Sequence, residues 1–152
     1  MIYAVLYIIG IAALNVGFTV VPLIHGWPPL SVAVGLIFVL RDFAQRQIGH
    51  WVLVAMGIGL LLSYLLAAPF VAVASAAAFA ISEGAEWAIY TLTKKPFQQR
   101  VAWSVLGCSP LDTGVFLYLI GAFSLTGMAI MTASKLAGAL ITYFSIPKGE
   151  RT

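Results

Sequence analysis

The chain has 152 residues, of which 62% are hydrophobic and 9% charged, and its mean hydropathy is +1.03. Soluble domains are about half apolar and about a quarter charged. The composition therefore excludes an ordinary soluble protein and predicts an integral membrane protein in the lipid bilayer. The length suits a single domain over residues 1–152. The net charge of +3 comes from a few clusters rather than a basic stripe, which argues against nucleic-acid binding.

The first two apolar segments predict two membrane-spanning helices. Residues 2–21 lack the basic start and cleavage site of a signal peptide, so we expect a retained span. Asn15 is its one strongly polar side chain, either a substrate-binding group or a hydrogen-bond donor to another helix. Residues 30–40 are too short to cross alone. We expect that helix to continue through residues 41–46 and end at Gly49. The alternative is a segment that dips into the membrane and returns.

An acid and a base near the end of this second helix form a predicted ion pair. Asp42 and Arg46 are four residues apart, so they lie on one helical face, with the acid nearer the N-terminus. We expect a structural or gating pair. Exposed at the membrane interface, it would contribute only a few tenths of a kcal/mol, roughly 0.3–0.5.

A third apolar span covers residues 51–67, and a polar stripe marks the fourth, residues 70–92. Polar side chains recur there at helical spacing: Ser75, Ser82, Glu83, Glu86 and Tyr90. Acids at membrane depth face the protein interior or a wet cavity. Glu83 and Glu86 are therefore candidates for substrate binding or gating. Alternatively, Glu86 lies at the interface and pairs with Lys94 or Lys95.

The fifth apolar segment, residues 101–123, holds the strongest candidate site. Three residues in its middle weaken a helix: Gly107, Pro110 and Gly114. Asp112 places a carboxylate at membrane depth, which costs about 2.5–3.5 kcal/mol. Irregular backbone at that depth is tolerated where it is buried in protein or lines a cavity. We therefore expect a broken fifth helix, with Asp112 and Ser109 facing an internal substrate site.

A lysine lies inside the sixth span, residues 128–146. Lys135 is too deep to reach the interface easily. It either neutralises Asp112 as a structural pair or takes part in substrate binding or gating, because buried charges need partners. Small residues form a stripe suited to close helix packing: Ser134, Gly138 and Thr142.

The basic residues predict the topology. Seven of the eight Lys and Arg residues lie in links 2–3 and 4–5 and in the C-terminal tail, whereas links 1–2, 3–4 and 5–6 carry none. The positive-inside rule then places both termini in the cytoplasm. The predicted fold is an all-α polytopic membrane protein with six transmembrane helices.

The sequence offers no catalytic constellation. His25 and His50 fall on opposite sides of the membrane in this topology, so they cannot share a metal ion. Cys108 has no His at its depth, the Ser residues lack an activating His, and no phosphate-binding loop is present. We expect no enzymatic activity, no cofactor and no metal site.

Several local patterns share their order and spacing with one known family. They are the acid-x-x-x-Arg-x-x-Gly of Asp42, Arg46 and Gly49, the Ala74-Ser75 pair followed by Phe79, Glu83 and Glu86, the Leu111-Asp112-Thr113 stretch, and Lys135 in the last span. In these features the chain resembles the VUT family of small bacterial membrane proteins, the queuosine-precursor transporters. It departs from the family at Phe70 and Val71, near which an Arg is common, and at Ser109, where an Asn is common.

The resemblance implies import of 7-cyano-7-deazaguanine or 7-aminomethyl-7-deazaguanine across the bacterial cytoplasmic (inner) membrane. The guanine-like edge of this cargo presents two adjacent N–H donors, which suit a carboxylate such as Glu83 or Asp112. Its flat ring suits stacking on an aromatic side chain: Trp87, Tyr90, Phe116 or Trp103. The alternatives are a carrier of another small planar nutrient, such as a vitamin or nucleobase, and a membrane scaffold that transports nothing.

Overall fold

The computed structural model describes residues 1–21, 29–67, 69–92 and 96–145, and the regular secondary structure of these residues is helical. The all-α prediction is thus confirmed for the described chain. The helices are α1 (Ile2–Val20), α2 (Ser31–Ile48), α3 (Val52–Leu66), α4 (Pro69–Leu92), α5 (Phe97–Leu119) and α6 (Leu125–Ser145), with a short 3-10 helix (Gly49–Trp51) between α2 and α3.

Within the described residues, three helical segments are long and apolar enough to cross a membrane. They are Ile2–Val20, Ser31–Leu66, which contains α2 and α3, and Leu125–Ser145. The described surface is rich in large apolar side chains, and the buried residues include six charged ones. A water-soluble protein rarely exposes such extensive apolar surface. The molecule is therefore suited to lipid contact outside and polar contact inside.

Local sequence explains where several helices begin and end. The second predicted helix does continue past residue 40, and it ends where Gly49 takes a φ of 59°, a value that favours glycine. Pro69 is the first residue of α4, where its missing N–H costs nothing. At the start of α6, Ser124 Oγ accepts a 3.0 Å hydrogen bond from the Gly127 N–H and caps the helix.

The predicted break in the fifth helix is wrong. Helix α5 runs without interruption from Phe97 to Leu119, with Pro110 inside it. A proline removes one backbone donor, and packing against neighbouring helices allows a membrane helix to continue past it. Buried polar residues on both sides of Pro110, Ser109 and Asp112, fix this face of α5 against the rest of the protein.

Helix α2 occupies a central position, because it packs extensively against both α1 and α6. It approaches α6 closely at Gly35 and Gly138. A Cβ atom on Gly35 would overlap the carbonyl oxygen of Lys135, and one on Gly138 would overlap that of Val32. Small residues let helix backbones approach in this way. The contact fixes α6, and with it Lys135, against α2.

Candidate functional site

A buried ion pair joins α5 to α6. Lys135 Nζ donates a hydrogen bond to Asp112 Oδ2 and another, of 2.8 Å, to Thr113 Oγ1. Ser82 Oγ on α4 lies 3.3 Å from the second carboxylate oxygen, Asp112 Oδ1. Asp112 is 6% exposed and Lys135 2% exposed. The structure therefore brings together the two residues that the sequence predicts as a structural pair or a substrate site.

A small cavity of about 20 Å³ borders this pair. Asp112, Lys135 and Ser75 give it a polar side. The remaining wall is apolar and includes three aromatic rings: Phe18, Phe79 and Phe116. The Phe18 and Phe116 rings are tilted against each other, with centroids 6.0 Å apart. The cavity thus combines one charged edge with flat apolar faces.

The small volume of this cavity limits the size of the molecule that it can hold. A water molecule needs a cavity of roughly 10–15 Å³. A cavity of about 20 Å³ therefore holds about one water. A molecule the size of a nucleobase requires the helices to move apart. In this structure the space beside Asp112 and Lys135 is therefore closed to molecules of that size.

A second buried cluster centres on Arg41, which is fully buried on α2. Its Nη1 atom lies 2.8 Å from Asp42 Oδ1, and its Nε atom lies 3.0 Å from Glu83 Oε2. The Tyr7 hydroxyl on α1 donates a 2.8 Å hydrogen bond to the same Glu83 oxygen. Glu86 Oε2 lies 3.7 Å from Arg41 Nε. One guanidinium therefore faces three carboxyl groups.

Glu83 and Glu86 belong to this Arg41 cluster and do not line the cavity beside Asp112. The two sites are nevertheless adjacent along α4, because Ser82 approaches Asp112 while its neighbour Glu83 binds Arg41. Lys94 and Lys95, the alternative partners proposed for Glu86, lie outside the described residues, as does His25.

Asp42 and Arg46, the predicted pair, differ in burial from what the sequence predicts. Asp42 is fully buried rather than exposed at an interface, and Arg41 is one of its partners. Arg46, in the last turn of α2, is exposed. The register of α2 is the physical reason, because it turns Asp42 towards the interior together with Arg41. Whether Arg46 takes part in gating stays a prediction.

Two other predicted site residues lie elsewhere in the core. Asn15 Nδ2 donates hydrogen bonds to Ser63 Oγ, at 3.0 Å, and to the Ile11 carbonyl, at 3.2 Å. Asn15 therefore makes the contact between helices, here α1 and α3, that the sequence offers as the alternative to substrate binding. Ser109 is fully buried but is not part of the cavity wall.

The aromatic candidates for stacking are dispersed. Phe116 lies at the cavity. Trp87 instead donates a 3.0 Å hydrogen bond through Nε1 to His50 Nδ1, and Trp103 is 53% exposed. The Tyr90 side chain lies outside the described part of the structure.

Arg41 and Tyr7 are the residues that the sequence interpretation missed. The missed signal is charge balance: with the second span ending at residue 40, Lys135 is the one cation in the predicted spans, whereas Glu83, Glu86 and Asp112 are three acids there. Buried charges need partners, so a second cation is expected. Arg41, at the end of the apolar run of the second helix, is close enough in sequence to supply it.

Comparisons of the chain with protein-family models, with curated proteins and with solved structures found no match. Among the described residues, no group of three or more His, Cys, Asp or Glu side chains is arranged to hold a metal ion.

Proposed function

We propose that this chain is a membrane carrier that imports a deazaguanine precursor of queuosine. The observation that supports this most strongly is the buried Asp112–Lys135 pair at the edge of a cavity with aromatic walls. Ionisable residues inside membrane proteins are rare, and they mark substrate or ion pathways. The resemblance to the VUT family supplies the class of cargo.

The chemistry of the cavity suits such a cargo. In the open state, the carboxylate of Asp112 accepts the two adjacent N–H groups of the guanine-like edge. Phe18 and Phe116 offer apolar faces for the flat ring. Lys135 neutralises Asp112 when the cargo is absent, which keeps the carboxylate from being buried without a partner. Binding of the cargo then replaces Lys135 as the partner of Asp112.

The proposed mode of transport is alternating access, and the small size of the cavity supports it. Cargo of nucleobase size enters when the helices around Asp112 separate towards one side of the membrane, and leaves when they separate towards the other. Helices α5 and α6 carry the two halves of the ion pair, so a movement between them opens the site. In the proposed arrangement all six helices span the bacterial inner membrane, with both termini in the cytoplasm.

A cellular assay tests the proposal. A bacterial strain that can neither make the precursor nor import it is supplied with 7-cyano-7-deazaguanine, with and without this protein. The proposal predicts that queuosine appears in tRNA only when the protein is expressed. Guanine and vitamins are added as competitors, because strong competition would favour a carrier of another planar nutrient. No queuosine despite normal abundance in the membrane would contradict the proposal and leave a carrier of another nutrient or a non-transporting scaffold.

A further inference from the structure

The buried charges of the described residues do not balance. Four acids, Asp42, Glu83, Glu86 and Asp112, are buried together with two cations, Arg41 and Lys135. With every group ionised, two negative charges are in excess. A buried carboxylate without a partner costs far more than its neutral form, so such a group takes up a proton instead.

Glu86 is the acid whose surroundings fit that proton. It is fully buried, and neither of its carboxyl oxygens has a hydrogen-bond partner among the described residues. Its Oε2 atom points into the Arg41 cluster but stops 3.7 Å from Arg41 Nε, beyond hydrogen-bond distance. The other acids differ: Asp42 and Glu83 accept hydrogen bonds from Arg41, and Asp112 accepts one from Lys135.

The groups around Glu86 come from several helices. Glu83 shares α4, Arg41 and Asp42 approach from α2, and Tyr7 approaches from α1 by way of Glu83. Helix α5 contributes Cys108 and Asp112, and Lys135 on α6 is bound to Asp112. His50, beyond α2, contacts the adjacent Trp87. The acids in this set disfavour a further negative charge, and the Arg41 guanidinium is already shared by Asp42 and Glu83.

We propose that Glu86 binds a proton in the closed state and carries it across the membrane with the cargo. The coupling step rests on the proposed function, whereas the proton site does not. An O–H bond forms on the Glu86 carboxylate when the site is open to the outside. That bond breaks when the site opens to the cytoplasm, the proton passes to water, and the empty carrier returns to the outside with Glu86 ionised. No electrons are exchanged.

Adjacent residues of α4 link this proton to the cargo site. When Glu86 is neutral, Arg41 pairs with Asp42 and Glu83. The contact between Arg41 and Glu83 holds α4 against α2. An ionised Glu86 competes for the same guanidinium and loosens that contact. Because Ser82 precedes Glu83 and approaches Asp112, a movement of α4 changes the partners of Asp112 as well.

Infrared spectroscopy of the purified protein tests the proton site without any cargo. The wild type should show the C=O band of a protonated carboxyl group at neutral pH, and Glu86→Gln should lack it. The double variant Asp112→Asn, Lys135→Met is the matched control and should keep the band, because it removes a buried carboxylate together with its own cation. Glu86→Asp, a second variant, should move the band. A band that is absent from the wild type, or unchanged in both Glu86 variants, would contradict the proposal.

Transport into lipid vesicles tests the coupling. With the membrane potential clamped, one pH unit of gradient, acid outside, should raise the limiting accumulation of labelled 7-cyano-7-deazaguanine up to about tenfold for one proton per cargo. Glu86→Gln should lose this dependence and still exchange labelled for unlabelled cargo across the membrane.

The outcomes separate the two proposals. Accumulation that ignores the pH gradient, or that follows a sodium gradient instead, overturns proton coupling and leaves the proposed function intact. No uptake and no exchange under any gradient overturns the proposed function and the coupling with it, and the infrared result then decides the proton site alone.

Discussion

Arg41 on α2 and Glu83 on α4 are 42 positions apart in the sequence, and Arg41 Nε donates a buried 3.0 Å hydrogen bond to Glu83 Oε2. Tyr7 joins α1 to the same carboxylate. Ser82, next to Glu83, lies within hydrogen-bond distance of Asp112 on α5, which pairs with Lys135 on α6. A continuous series of polar contacts thus connects five of the six described helices.

Removing the centre of this network should destabilise the protein strongly. Arg41→Gln leaves buried carboxylates without their cation, a type of change that costs about 3–5 kcal/mol. Thermal unfolding of the protein in detergent should show a large drop in melting temperature. The exposed Arg46→Gln serves as the matched control and should change stability by about 0.5 kcal/mol or less. Equal effects of the two changes would contradict a structural role for Arg41.

A double variant tests whether Arg41 and Glu83 stabilise the protein through their mutual contact. Adding Glu83→Gln to Arg41→Gln removes one of the carboxylates that Arg41 neutralises. The double variant should therefore recover part of the lost stability, because residues that interact directly have non-additive effects. Strictly additive losses would mean that the two side chains do not stabilise each other.

The sequence predicts the helices of this fold better than their contacts. Apolar runs and turn residues predict the helical segments and the stop at Gly49. Local rules are wrong on two points, the break at Pro110 and the exposure of Asp42. Pro110 and its neighbouring glycines favour a break, but a single missing donor is tolerated in a packed helix. The i, i+4 spacing of Asp42 and Arg46 favours an exposed pair, but the register of α2 buries Asp42 with Arg41.

The sequence also predicts part of the candidate site. Asp112 and Lys135 are costly at membrane depth wherever the helices lie, so their pairing follows from composition and depth. The separation of Glu86 from the cavity does not follow, because it depends on how far α4 is rotated about its axis. The partners of Arg41 depend on contacts between residues distant in sequence, which no local pattern contains.

The contact between α2 and α6 should tolerate no added methyl group. In Gly138→Ala the new Cβ would overlap the Val32 carbonyl oxygen, so the helices must separate. Overpacking of this kind costs about 1–3 kcal/mol, or more where backbone is involved. Membrane abundance and melting temperature should both fall. Gly57→Ala on α3, where a Cβ meets nothing within 4 Å, should leave both unchanged. Normal stability of Gly138→Ala would show that the close approach is not needed.

The Asp112–Lys135 pair should have separable structural and transport roles. Asp112→Asn leaves a buried lysine without its anion, and the new amide places a donor opposite the N–H groups of the cargo. Uptake should be lost and abundance should fall. Adding Lys135→Met removes the unpaired cation, so abundance should return while uptake stays absent. Recovery of uptake in the double variant would show that the pair is structural only.

The proposed topology predicts which surfaces are accessible from outside the cell. In a Cys108→Ala background, cysteine at the exposed Arg46 should resist an impermeant thiol reagent added to intact cells. Cysteine at Ser124, in the exposed turn between α5 and α6, should react. Reaction at position 46 together with protection at position 124 would invert the arrangement.

Transport by the purified protein tests the central claim most directly. Lipid vesicles containing the wild type and preloaded with unlabelled 7-cyano-7-deazaguanine should take up the labelled compound by exchange, and vesicles with the double variant Asp112→Asn, Lys135→Met should not. Exchange in the wild type that is lost in the variant, at equal protein content, is the predicted result. No exchange by the folded wild type, or equal exchange by both proteins, would contradict a deazaguanine carrier that works through Asp112.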